Sequence, residues 1–151
     1  MADVSLSERL TQDMKAAMKA GDKATLGVVR RAIAAMQNAR IEKREDLDEQ
    51  DEIRIIRGIV KQHRESIEQF RAGDREDLAS KEEAELAILM VYLPPEMDQA
   101  ALEAIVVEVI AVEGAEGPRD MGRVMKGVMA RTRGQADGSA VSALVKEKLG
   151  A

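Results

Sequence analysis

Apolar residues recur at three- and four-residue intervals along almost the whole chain, the period of helices that each bury one face. Leu6, Leu10, Met14 and Met18 open the pattern behind Ser5 and Glu8, which have capping-box spacing, and Gly21 stops it. A first helix is predicted from Leu6 to about Ala20. Asp22 caps a second, with Leu26, Val29, Ile33 and Met36 on one face, until the charged run Glu42-Lys43-Arg44-Glu45-Asp46 reads as a loop or frayed end. A third starts near Asp48, carries Ile53, Ile56, Val60, Ile67 and Phe70 on its stripe, and ends at Gly73. A fourth begins near Asp74 or Arg75 and becomes apolar at Leu86, Leu89, Met90 and Leu93 before Pro94-Pro95, where no helix continues.

The two prolines predict a domain boundary, with residues 1–95 an N-terminal bundle of about four helices and residues 96–151 a small C-terminal three-helix domain. In the second part Asp98 caps a helix holding Leu102, Ile105, Val109 and Val112, ended by Gly114 to Pro118. Asp120 caps a methionine-rich helix with Met121, Met125 and Met129. Asp137 or Ser139 caps the last, with Val141, Leu144, Val145 and Leu149 inward. Alternating runs and hairpin turns are missing, so the fold class is all-α.

Composition narrows what these helices are for. At 151 residues the chain can bury a real core, and with 1% aromatic residues that core is aliphatic and methionine-rich and offers little surface for stacking on bases. Cysteine is absent, which removes disulfides, thiolate nucleophiles and cysteine-based metal sites. Neither a leader-like N-terminus nor a run of membrane-spanning length is seen, and the expectation is a soluble cytoplasmic protein without a membrane partner. The formal net charge of −5 argues against a general nucleic-acid binder, and DNA is not expected as a ligand. Its distribution is uneven: from Gly117 onward seven basic residues face three acidic ones, a balance of +4, which leaves −9 for residues 1–116.

Catalytic machinery is not apparent. His63, the only histidine, lies on or near the apolar stripe of the third helix and reads as a structural or surface residue. Ser66, Ser80, Ser139 and Ser142 lack nucleophile-elbow glycines. The acidic runs Glu45 to Glu52 and Glu82-Glu83-Glu85 lack the turn glycine and ligand spacing of a calcium loop and read as solvated helix faces, so neither a metal nor another cofactor is expected. Met121, Met125 and Met129 read as a small helical core or, alternatively, a partner groove. Gly122 and Gly127 each weaken that helix by about 1 kcal/mol relative to Ala, which points to close approach of another backbone. Arg123 and Lys126 lie on adjacent positions of its surface, with Arg131 and Arg133 at its end.

Met121-Gly122-Arg123-Val124-Met125 and Gly134-Gln135-Ala136-Asp137-Gly138, with Val141 and Leu149 following and Tyr92-Leu93-Pro94 at the boundary, resemble the signature of the YqeY family. That family is similar to the tail of the GatB subunit of the glutamine-dependent aspartyl/glutamyl-tRNA amidotransferase, and the resemblance runs from Leu6 to Leu149. It implies a helical bundle joined to a three-helix domain and a role as a stand-alone tRNA-recognition or amidotransferase-accessory module. The cradle and amidase signatures are missing, so any carbon–nitrogen ligase activity would belong to a larger amidotransferase. By match to the motif the RNA-facing positions are Arg123, Lys126 and the Gly134–Gly138 turn, with Gly122, Gly134, Asp137 and Gly138 as motif glycines and turn and Gln135 where the family typically carries a lysine or arginine; Arg131, Arg133 and Lys146 are the further basic residues expected to contact phosphates. The expected partners are tRNA and an aminoacyl-tRNA synthetase or amidotransferase subunit. The alternative is a protein-interaction adaptor that uses the acidic bundle or the methionine-rich groove and binds no RNA.

Overall fold

The computed structural model describes residues 4–150. Their regular structure is all helical: α1 (Leu6–Ala20), α2 (Lys23–Lys43), α3 (Glu49–Ala72), α4 (Glu76–Met90), α5 (Gln99–Glu113), α6 (Met121–Thr132) and α7 (Gly138–Leu149), with a 3-10 turn at Pro118–Asp120. The chain divides into two compact units, one ending at Leu93 and the other beginning at Pro94.

Caps set most of the helix starts. The side chains of Ser5, Asp22, Asp48 and Asp98 each accept an N–H from the first turn of α1, α2, α3 and α5, groups that otherwise have no partner inside the helix. Asp48 and Asp51 cap reciprocally. Asp120 and Asp137 hold the corresponding positions before α6 and α7 without a capping bond, which corrects the expectation for both. The Asp120 carboxylate instead accepts the Glu116 N–H at 3.0 Å and an Arg123 N–H at 2.6 Å. These two bonds, the Glu116 N–H first, hold its carboxyl below the usual carboxylate range. The charged run after residue 41 is only partly loop, since α2 continues to Lys43 and Arg44 turns it off in a left-handed conformation.

In the first unit α1 packs along α2 and α3 along α4, and α2 touches both members of the second pair. The core joins Leu6 and Leu10 to Val28, Val29, Ala32, Met36, Ile53, Ile56, Val60, Leu89 and Tyr92. Polar contacts also tie α1 to the rest. Buried Glu52 on α3 accepts the Ser7 N–H at 2.7 Å and the Ser7 hydroxyl at 2.6 Å, placing a carboxylate at the positive end of α1. The Tyr92 hydroxyl donates to the Asp13 carboxylate, and the Arg9 guanidinium stands 5.1 Å from the centre of the ring.

Burial, then the Asp13 carboxylate, push the Tyr92 hydroxyl above its ordinary value of 10. The folded unit therefore holds this proton at pH values where the unfolded chain releases it, and stability that is complete below about pH 10 falls as pH rises further. Tyr92→Phe is expected to lower stability at neutral pH and to flatten the loss above pH 10. Denaturant midpoints measured at pH 8 to 11 check this, and equal slopes in the two proteins would contradict it.

The second unit packs α5 against α6 and both against α7, around Leu102, Val106, Val109, Val124, Val128, Ala136, Val141, Leu144, Val145 and Leu149. The methionine ladder only borders this core. Met121, Met125 and Met129 are half-buried, while Val124 and Val128 are fully enclosed. Gly122 has no neighbour where a side chain would begin, so no backbone approaches it; Gly127 does have a close neighbour, the Val109 side chain of α5.

Candidate functional site

The basic positions singled out in the sequence lie on the exposed surface of the second unit, and acidic partners hold two of them. Arg123 bonds Asp120 and lies 4.0 Å from Glu113; Arg131 bonds Glu108 at 2.8 Å. Lys148 is bound in the same way to Glu103 at 2.6 Å. Lys126, Arg133 and Lys146 are exposed, on α6, at its C-terminal cap and on α7. The acidic partners on α5 precede residue 117 and so escape a charge count taken from there. Over the whole unit from Pro94, nine acidic residues face seven basic ones, a balance of −2. Attraction to a polyanion needs an uncompensated positive surface, and this pairing removes much of it.

The Gly134–Gly138 motif does structural work. Arg133 and Gly134 take left-handed conformations, with φ 47° and 81°, to end α6. The Gln135 carbonyl then accepts the Met97 N–H at 2.7 Å, while the Gln135 N–H donates to Thr132. Ala136 enters the core and Gly138 begins α7 behind Asp137. The turn thus fastens the start of the unit to the α6–α7 corner through backbone groups, with no part for the Gln135 side chain in these bonds.

A different cluster forms in the first unit. α3 and α4 make an antiparallel helical hairpin around Gly73–Arg75, with Asp74 in a left-handed conformation at φ 57°. Their contact buries His63 to 3% exposure. Its Nδ1 lies 3.0 Å from the Ile59 carbonyl oxygen one turn back; its Nε2 faces α4, 3.2 Å from Glu85 Oε2 and 3.6 Å from Glu82 Oε2. The two carboxylates are three residues apart, hence on one face of α4, and mostly covered at 17% and 23% side-chain exposure. Both carboxylates pair with His63. Glu82 and Glu85 were expected on a solvated helix face. Packing against α3 turns them inward, whereas Glu83 points out to Arg71.

An all-α chain of two units, a four-helix bundle and a three-helix unit closed by a glycine-bounded turn, is the class of protein these observations define. The family model for Yqey-like proteins matches residues 7–149, and the chain belongs to the YqeY family. A relative from Pyrenophora tritici-repentis named Altered inheritance of mitochondria protein 41, mitochondrial, is 34% identical over 147 residues, 95% of this chain and 80% of the relative. Proteins of the same name from Vanderwaltozyma polyspora and Eremothecium gossypii are 33% and 35% identical over 85 residues, 56% of this chain and 46% of each relative.

These relatives overturn two expectations. Their names refer to the inheritance of mitochondria, which contradicts the tRNA-recognition or amidotransferase-accessory role drawn from the GatB resemblance. They are also named as mitochondrial proteins, in conflict with a cytoplasmic location. Among the described residues no helix is long and apolar enough to cross a membrane.

Proposed function

We propose that the protein serves the same process as its relatives named for altered inheritance of mitochondria. The observation that carries this reading is the extent of the Pyrenophora tritici-repentis match, 95% of this chain, which takes in both helical units rather than one shared module. At 34% identity a common fold follows, and the retained length gives a common role its support. Expression of this chain behind an appended mitochondrial leader, in a Saccharomyces cerevisiae strain lacking its own relative, tests the proposal. Normal inheritance of mitochondria is the expected result. Failure to restore it with folded protein present in the organelle would overturn the reading.

A further inference from the structure

We propose that His63, Glu82 and Glu85 form a binding site for a first-row divalent metal ion of the zinc type, closing the α3–α4 hairpin. A neutral imidazole carries one N–H, and His63 meets acceptors on both sides: the Ile59 carbonyl at Nδ1 and two carboxylates at Nε2. With the proton on Nδ1, the Nε2 lone pair points at the Glu82 and Glu85 oxygens; with it on Nε2, the Nδ1 lone pair points at the carbonyl. Either neutral tautomer leaves acceptor facing acceptor beside a ring that is 97% buried, a costly contact away from water. A cation at Nε2 removes the conflict.

A single proton there would satisfy the ring but leave two carboxylates around one imidazolium, a local charge of −1. A divalent ion balances both carboxylates, and Nδ1–H donation to Ile59 then orients the ring and holds it in the metal-binding tautomer. The ligand atoms already lie within 4.8 Å of one another. Around a tetrahedral ion with bonds of about 2.0–2.1 Å, neighbouring ligand atoms sit roughly 3.3 Å apart. The observed separations from Nε2, 3.2 and 3.6 Å, bracket that spacing. One imidazole and two carboxylates without a thiolate form a nitrogen–oxygen donor set that suits zinc, cobalt or iron(II) better than calcium, which takes six or more oxygens. The partial exposure of the glutamates leaves the fourth position open to water.

Binding to the folded hairpin stabilises the first unit by mass action. The test uses tag-free full-length protein, freed of metal with a chelator and titrated with Zn²⁺ alone at pH 7.5 in a calorimeter. Thermal unfolding is followed in parallel. Binding of one equivalent and a rise in melting temperature are expected, with Co²⁺ giving the visible absorption of a four-coordinate nitrogen–oxygen site. Glu85→Gln keeps the side chain's shape and is expected to weaken Zn²⁺ binding by at least about 10-fold. Glu82→Gln combined with Glu85→Gln is expected to abolish the binding and the thermal shift while leaving the helical circular dichroism intact. Absence of stoichiometric binding to the wild-type chain, or binding unchanged in the double variant, would overturn the proposal.

Discussion

Leu89→Ala is expected to lower the stability of the first unit by about 2–5 kcal/mol, a large share of the 5–15 kcal/mol that holds an ordinary domain together. Leu89 is fully buried on α4, in the core shared with α2 and α3. Truncation removes the transfer free energy of three carbons and leaves a cavity that rigid helix packing fills only partly. The readout is built into the chain, because Tyr92 is its only tyrosine, tryptophan is absent, and Tyr92 belongs to this same core. Tyrosine fluorescence therefore reports the first unit, whereas circular dichroism reports all seven helices. The fluorescence midpoint in denaturant is expected to fall sharply. The portion of the dichroic signal from residues 94–150, which have their own core, is expected to keep its transition. An unmoved fluorescence transition would contradict the placement of Leu89.

Met18→Ala is the informative contrast, since the sequence pattern treats Met18 and Leu89 alike. Met18 is 54% exposed, and its replacement is expected to change stability by less than about 0.5 kcal/mol. The reason lies in helix geometry. Residues advance by about 100° each, so a strict four-residue repeat drifts roughly 40° per step. By the third step after Leu6 the stripe has left the core, and Ala17, 5% exposed, takes the inward place. In α6 the methionines instead run beside the core-facing stripe, so Met121, Met125 and Met129 border a core that Val124 and Val128 fill. In α5 the pattern has little to say about direction, because apolar residues surround the helix: Val106 is fully buried and Val112, one of the expected inward residues, is 78% exposed. Helix existence and most starts were legible, since caps and periodicity are local. Which face turns inward depends on neighbours, and in α5 only the packed structure decides it.

The same distinction applies to the candidate site. The lone histidine and the acidic run were visible separately, each with an ordinary surface or structural reading. What joins them is the hairpin: His63 precedes Gly73 by ten residues, and Glu82 and Glu85 follow it by nine and twelve, so antiparallel packing brings them level. That register was a usable signal once both helices and the glycine between them had been read. The charge asymmetry misled for the opposite reason. Counting from Gly117 set Arg123, Arg131 and Lys148 apart from Glu113, Glu108 and Glu103, the α5 residues that neutralise them across the unit.

Gly127→Ala is expected to destabilise the second unit, whereas Gly122→Ala, five residues earlier in the same helix, is expected to stabilise it. Both changes reduce the freedom of the unfolded chain and raise helix propensity, a gain of up to about 1 kcal/mol that is smaller for Gly122 in the first turn of α6. They differ in what the new methyl group meets. At Gly122 it enters open space; at Gly127 it lies 2.8 Å from Val109 Cγ1, well inside contact distance. Val109 is 5% exposed and β-branched within α5, so its side chain has essentially one rotamer and the helices themselves must part. Overpacking of this kind costs about 1–3 kcal/mol, which against the propensity gain leaves a net loss of up to about 2 kcal/mol. Denaturation of the full chain followed by circular dichroism gives both signs in one experiment. Val109→Ala in the Gly127→Ala background removes the clashing methyl groups, so the double variant is expected to lose less stability than the two single losses added together. Strict additivity would show that α5 and α6 do not meet at this point, and the use of Gly127 as a helix-contact residue would then have to be abandoned.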